Sequence, residues 1–146
     1  MTEWFARPVL HVSSVEASLR FYVQRLGFTL AWRYGDDGRA EVAEVDRQGC
    51  SLILCDHWPE KVGKGLMFVS LNVEPETHEA AVAAVDALRN ELEARGVLVK
   101  EGGWGYRVLV VEDLDRNQLF FNYPNEPSAG AEQQPSPDQK NSSSSR

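Results

Sequence analysis

The sequence predicts an α+β fold in which one βαβββ module is followed by a second of the same kind. Two segments show helical spacing of apolar residues, and in each half one alternating strand precedes the helix and three follow it. Val12 and Val73 occupy corresponding places in the two halves, as do Gly27 and Gly96. These repeated spacings indicate an internal duplication.

The first half covers residues 7–56 and contains one well-marked helix. Ser13 and Glu16 have the spacing of a capping box, apolar residues follow at helical intervals, and Gly27 follows the last turn, which together predict a helix over 14–26. The predicted strands are RPVLHV at 7–12 before the helix, and FTLAWRY, AEVAEV and SLILCD after it.

The second half covers residues 66–123. Its helix is predicted to run from near Thr77 to Arg95 and to stop at Gly96. The predicted strands are LMFVSLNV at 66–73, then VLVK, YRVLVVE and QLFFNY. With 146 residues in the chain, we expect one domain over 1–125, followed by a disordered tail over 126–146 that is rich in Pro, Ser and Gln.

Acidic residues outnumber basic ones, with 22 Asp plus Glu against 15 Lys plus Arg and a formal net charge of −7. This sign opposes nucleic-acid binding and favours a cationic partner, although acidity also serves solubility alone. No apolar run approaches the roughly 20 residues of a membrane helix, and the first residues lack a basic segment followed by an apolar one. We therefore expect a cytoplasmic protein with no nucleic-acid or membrane partner.

The two cysteines, Cys50 and Cys55, lie in one predicted strand at an odd separation. Their side chains would point to opposite faces, so we expect buried free thiols rather than a disulfide.

Strand alternation places a mixed set of side chains on the sheet face opposite the helices. This set combines apolar, aromatic, amide and charged groups: Arg7, Val9, His11, Leu66, Phe68, Ser70, Asn72, Gln118, Phe120 and Asn122. A curved sheet with such a concave side describes a ligand cleft. A dimer interface or a solvated sheet face is equally consistent with the pattern.

Two segments resemble motifs of the glyoxalase / bleomycin-resistance / dioxygenase group, the vicinal oxygen chelate superfamily: PVLHVSSVEASLRFYVQRLGF and GGWGYRVLVVEDLDRNQLFFNYPNE. The resemblance covers residues 7–125. It implies paired βαβββ modules that form a curved mixed sheet, with a concave ligand cleft and with the helices on the outer face. Its motifs are specific for the fold and much less so for activity.

Metal enzymes of the superfamily that this chain resembles place up to four His, Glu or Gln ligands in the cleft. The motif alignment carries these positions to Arg7, Leu54, Phe68 and Phe120. Leu and Phe have no donor atom, and a protonated guanidinium repels a divalent cation. We therefore expect no metal, no cofactor and no catalytic residue of that kind.

The remaining features resemble the bleomycin resistance proteins, which bind a basic glycopeptide drug without modifying it in a groove between two subunits. The segments in agreement are Pro8-Val9-Leu10, Arg25 to Phe28 and Trp104-Gly105. The resemblance implies a homodimer that sequesters bleomycin or a similar aromatic, cationic molecule and so confers resistance. The expected ligand-binding residues are Trp104, Phe68, Phe120, His11, Arg7, Asp56, Trp32, Trp58, Ser70 and Asn72. Each isolated Trp is equally consistent with a packing role.

The alternative is a small-molecule lyase, isomerase or dioxygenase-type enzyme of the same superfamily with an atypical or absent metal site. His11 and Asp56 are its candidate acid and base, since both are expected to face the cleft. Arg7 is expected either to clamp an anionic ligand or to pair with Asp56 or Asp113. A third interpretation is a ligand-binding or stress protein that keeps only the fold. The loops expected to select the ligand, at 35–39, 57–65 and 101–105, contain no sequence pattern that indicates which ligand binds.

Overall fold

Two successive βαβββ modules make up the computed structural model, which describes residues 1–103, 105 and 107–125. The first module contains β1 (Val9–His11), α1 (Val15–Arg20), a π-helical segment (Phe21–Arg25), β2 (Thr29–Tyr34), β3 (Val42–Arg47) and β4 (Cys50–Cys55). After a 3₁₀ turn (Pro59–Lys61), the second module contains β5 (Leu66–Val69), α2 (His78–Ala94), β6 (Lys100–Gly103), β7 (Arg107–Glu112) and β8 (Gln118–Asn122). The predicted tail at 126–146 and the predicted site residue Trp104 lie outside the described residues.

Each module forms its own four-stranded sheet. The strand orders are β1-β4-β3-β2 and β5-β8-β7-β6. In each sheet the first strand of the module pairs in parallel with the last, and the other pairs are antiparallel. This identical topology confirms the predicted repetition of the βαβββ pattern and the α+β class.

The helix-facing sides of both sheets form one core with the helices, as alternation predicted. Leu10 and Val12 from the first module and Met67, Leu119 and Phe121 from the second belong to the same buried cluster. Tyr22 of the π-helical segment and Val85 and Leu92 of α2 complete it. The opposite sides of the two sheets, which we call the open faces, are therefore not covered by the helices.

The first helix begins at a different cap from the one predicted. Ser14, not Ser13, is the N-cap, and its hydroxyl accepts a hydrogen bond from the Ala17 amide at 3.1 Å. The predicted capping box is wrong because both of its side chains are engaged elsewhere. The Ser13 hydroxyl donates to Asp115 at 2.7 Å, and the Glu16 carboxylate accepts from the Ala40 amide at 2.8 Å.

The predicted helix over 14–26 is α-helical only to Arg20 and then widens into the π-helical segment. Gly27 ends it as expected, with a φ of +76° that favours glycine. A Cβ at Gly27 would also lie 2.6 Å from Nη1 of Arg47, so the helix exit is packed closely against β3.

Two strands of the second module differ from prediction because pairing, not hydropathy, sets their ends. β5 stops at Val69 instead of continuing to 73, since its partner β8 ends at Asn122. The expected strand at 97–100 is displaced to Lys100–Gly103, where it pairs with β7. Glu101 in this strand accepts bonds from Arg107 and Arg89, and the Arg107 bonds in particular lower its pKa to about 2.

The closing motif Glu112–Asn117 links the two modules. The buried Asp113 carboxylate accepts a bond from the Tyr22 hydroxyl at 2.9 Å, and it also accepts from Asn117 and from the Asp115 amide. The Asn117 amide nitrogen donates to the carbonyl of His11, and its oxygen accepts from the Gly65 amide. This motif therefore holds the end of β1 beside the start of β5.

Candidate functional site

On the open face of the first module, three side chains from three strands or their flanks converge. Arg7 precedes β1 and donates to Oε1 of Glu44 at 2.5 Å, and the indole Nε1 of Trp32 donates to the same oxygen at 2.9 Å. Glu44 lies opposite Trp32 in the β2–β3 register, which explains the contact. The structure thus brings together two predicted site residues, Arg7 and Trp32, through a carboxylate that was not predicted.

Glu44 is buried although it belongs to the open face, with only 7% of its surface exposed. The Arg7 guanidinium offsets its charge, and the two donors satisfy one oxygen. The sequence did carry a signal for this residue, because Glu44 lies between the core residues Ala43 and Val45. Alternation alone therefore turns it towards the open face, together with Asp46 two positions later.

His11 lies at the junction of the two sheets, at the end of β1. Its ring meets that of Trp58 edge-on, with 5.6 Å between centroids, and its Nδ1 is buried without a hydrogen-bond partner in the described part of the chain. Trp58 also contacts His57 edge-on and lies beneath the Lys61 ammonium. The loop after β4 therefore adds an exposed aromatic ring beside His11.

Asp56 is not part of this arrangement. Its carboxylate accepts a bond from Arg39 at 2.9 Å, and its side chain is 8% exposed. The predicted pairing of Arg7 with Asp56 or Asp113 is wrong, since Arg7 binds Glu44 and Asp113 binds Tyr22. β4 ends at Cys55, so the alternation used to turn Asp56 towards the cleft stops one residue too early.

On the open face of the second module, Phe68 and Phe120 are register partners on the parallel strands β5 and β8. Phe68 is 37% exposed and Phe120 is partly buried. Ser70, directly after β5, donates its hydroxyl to Asn122 Oδ1 at 2.8 Å, so a polar pair lies next to the aromatic pair.

The superfamily metal position that corresponds to Leu54 does not lie on the open face. Leu54 is fully buried in the core, because β4 turns Leu52 and Leu54 inward and Ile53 towards the open face. The side chains at the four superfamily metal positions do not fit a divalent cation, since three lack a donor and Arg7 is cationic. Within residues 1–103, 105 and 107–125, no three His, Cys, Asp or Glu side chains are grouped to hold a metal ion.

A cavity of about 580 Å³ lies elsewhere, on the helix side of the second sheet. Two predicted site residues, Ser70 and Asn72, line it together with residues of α2 and of the β3–β4 turn. The predicted residues therefore lie in separate places: Arg7 and Trp32 at Glu44, His11 beside Trp58, Phe68 beside Phe120, Ser70 and Asn72 at this cavity, and Asp56 at Arg39. Trp104 lies outside the described residues.

The paired modules and their open faces define a class of fold that comparison with known proteins identifies. The family model described as Glyoxalase/Bleomycin resistance protein/Dioxygenase superfamily matches residues 4–121. The chain therefore belongs to this superfamily, as its motifs predicted. None of the curated proteins matches the sequence.

Solved structures of antibiotic-binding proteins have a similar fold. TnmS3, an antibiotic binding protein from Streptomyces sp. CB03234, is 22% identical, with a TM-score of 0.60 over 86% of this chain and 100% of its own. The bleomycin-binding protein from Streptomyces verticillus, complexed with copper(II)-bleomycin, is 21% identical, with a TM-score of 0.61 over the same shares. A glyoxalase/bleomycin resistance protein from Streptomyces sp. CB03234 is 25% identical, with a TM-score of 0.56 over 80% and 99% of the two chains.

No helix among the described residues combines the length and the apolar character needed to cross a membrane.

Proposed function

We propose that this protein is a cytoplasmic, non-catalytic binding protein that sequesters bleomycin or a similar aromatic, cationic molecule and so confers resistance. The proposal rests on exposed aromatic rings on both open faces, with a buried carboxylate beside one of them. Trp32, Trp58 and Phe68 offer faces or edges for stacking, and such contacts suit flat heteroaromatic rings.

Charge on the open face of the first module supports a cationic ligand over an anionic one. Arg7 is the expected anion clamp, but its guanidinium is already bound to Glu44. Asp46 adds a second carboxylate two residues along β3, and its Oδ1 is buried without a hydrogen-bond partner in the described residues. A positively charged group of the ligand would complement this pattern, and the net charge of −7 would attract it at long range.

We propose further that two copies associate, so that each ligand groove combines open faces from both. Large apolar side chains remain exposed on these faces or next to them in the single chain: Trp4, Phe5, Val9, Trp32, Tyr34, Leu66 and Phe68. Several large apolar side chains exposed in this way are typical of a protein interface or a ligand groove. Association would cover part of the set and leave the remainder as groove wall.

The deciding experiment is a calorimetric titration of the full chain with metal-free bleomycin and with copper(II)-bleomycin, at two salt concentrations. We expect about one ligand per chain with a Kd near or below about 1 µM, and weaker binding at the higher salt because charges contribute. Absence of binding by both forms of the drug would contradict the proposal.

Two variants locate the binding on the open faces. Phe68→Ala should weaken binding about tenfold through loss of stacking area, whereas Leu114→Ala, which truncates an exposed apolar side chain outside the open faces, should leave binding unchanged. Glu44→Gln should reduce both the affinity and its dependence on salt. Equal effects of Phe68→Ala and Leu114→Ala would place the ligand elsewhere.

The enzymatic alternative is less well supported, because one of its two groups is engaged in an ion pair. His11 stays on the open face, whereas the Asp56 carboxylate accepts a bond from Arg39. A general acid and base must both reach the substrate, so the geometry favours binding without turnover.

A further inference from the structure

We propose that the cavity between α2 and the β3–β4 turn is a second small-molecule site, separate from the open faces, for a neutral and mainly apolar compound. Its volume of about 580 Å³ falls within the range of ligand pockets. It lies where the two modules meet on the helix side, with the exit of the first helix as one wall and α2 as another.

The walls of the cavity are predominantly apolar, because the strands and helices around it line it with side chains from their core-facing sides. Small residues on α2, Ala84 and Ala87, leave the space open where larger side chains would fill it. The other apolar lining residues are Leu26, Phe28, Val69, Leu71, Val73, Leu88, Leu92 and Phe121.

The charged groups of the cavity neutralise each other, which selects a neutral ligand. Arg47 donates to both carboxylate oxygens of Glu91, at 2.9 and 3.1 Å, and also to the Leu26 carbonyl at 2.7 Å. A charged ligand would have to displace one member of this pair, whereas an uncharged one leaves it intact.

Polar groups at the edge of the cavity can orient such a ligand. Residues 70–73 continue from β5 past the end of β8, so in the described part of the chain no strand pairs with this segment. Its backbone amides and carbonyls, with the side chains of Asn72 and Gln48, are therefore available at the cavity. A few placed polar groups in an apolar wall are typical of small-molecule sites.

Along β5 and β8, the cavity and the open face lie on opposite sides of the second sheet, and Ser70, which follows β5, borders both. Phe121 lines the cavity, while its neighbour Phe120 belongs to the open face with Phe68. The C-terminal segment 126–146 is a poor occupant, since it contains no aliphatic residue larger than Ala. A small molecule that fills the cavity would therefore not compete with one bound to the open faces.

Cys50 lines the cavity and provides a local reporter of occupancy. The test measures its alkylation by iodoacetamide, mapped by mass spectrometry, with and without the neutral dye N-phenyl-1-naphthylamine. At a dye concentration about ten times its Kd, alkylation of Cys50 should slow about tenfold, because only the empty fraction reacts. Unchanged alkylation at saturating dye fluorescence would overturn the proposal.

Matched variants separate this site from the open faces. Ala84→Leu combined with Ala87→Leu should fill the cavity and abolish the dye-dependent protection of Cys50, whereas Ala83→Leu, on the exposed side of α2, should retain it. Phe68→Ala should also retain it. Loss of protection in Phe68→Ala, or its retention in the folded double variant, would contradict the proposal; should the double variant fail to fold, wild-type protection of Cys50 still decides.

Discussion

At the scale of single residues, the pKa of a buried carboxyl group in this protein depends on the hydrogen-bond donors around it. Burial raises the pKa of the Asp113 carboxyl, and the hydrogen bonds from Asn117, Asp115 and Tyr22 oppose that rise. The same burial, with the neighbouring Asp113 charge, raises the pKa of Tyr22 well above its usual value. The Tyr22 hydroxyl therefore stays protonated and remains a donor at neutral pH.

We predict that Tyr22→Phe lowers the free energy of unfolding by about 2 kcal/mol near neutral pH, because a buried carboxylate loses a donor. The variant should also raise the pKa of Asp113. A raised folded-state pKa makes the loss smaller as the pH falls and the carboxyl takes up a proton. Urea denaturation at neutral and acidic pH checks this, with Tyr34→Phe, an exposed tyrosine, as the control. A pH-independent loss would contradict the role of Asp113.

At the scale of helices and strands, local pattern predicted which elements form, but their ends depend on distant partners. Both helices and the core rows containing Leu10 and Leu119 follow from periodicity. The Ser13 hydroxyl, however, is drawn to Asp115, and β5 ends early because β8 does. Neither effect is visible in a local window of sequence.

The residues of the candidate site were likewise predicted only in part from local pattern. Alternation predicted the faces of Arg7, His11 and Phe68 because all three belong to or adjoin regular strands. It misplaced Asp56, because β4 ends one residue earlier, at Cys55. Leu54 was placed at the cleft by the motif alignment and not by alternation, and it is buried in the core. The Arg7–Glu44 contact required knowledge of which strands are neighbours.

The Arg47–Glu91 pair joins the first module to α2 and gives a prediction at this scale. The hydrogen bonds from Arg47 lower the pKa of Glu91 from its usual value of 4.5. The pair therefore contributes its full stability above that value and loses it as the pH falls towards the folded-state pKa.

Glu91→Gln should lower the free energy of unfolding by about 1 kcal/mol near neutral pH, discounted for partial exposure, and by less in acid. Denaturation curves across this pH range measure the difference, and Glu76→Gln, which removes an exposed carboxylate, serves as control. Equal destabilisation at both ends of the range would rule out the ionic contribution.

At the scale of the whole molecule, exposed apolar residues near the N-terminus support the proposed association of two copies. Trp4 is 94% exposed and Phe5 is 81% exposed, although the Phe5 ring lies 5.3 Å from the Arg7 guanidinium. Large aromatic side chains so fully exposed in a single chain are typical of surfaces that another chain covers.

We predict that light scattering gives twice the mass of one chain at micromolar concentration. Trp4→Ser combined with Phe5→Ser should shift the protein towards monomer, because the buried aromatic area is lost. Leu114→Ser, an exposed apolar residue outside the open faces, should leave the mass unchanged. A monomeric wild type would contradict the proposed association.

The hydrogen bond between the Tyr22 hydroxyl and the Asp113 carboxylate joins residues that lie 91 positions apart in the chain. During synthesis on the ribosome, the first module emerges long before Asp113 and Asn117 are made. Until then the Tyr22 hydroxyl lacks its carboxylate partner, and the carbonyl of His11 lacks its amide donor. The first module therefore reaches its final stability only when the second is nearly complete, so a nascent chain halted before the closing motif should remain susceptible to proteases.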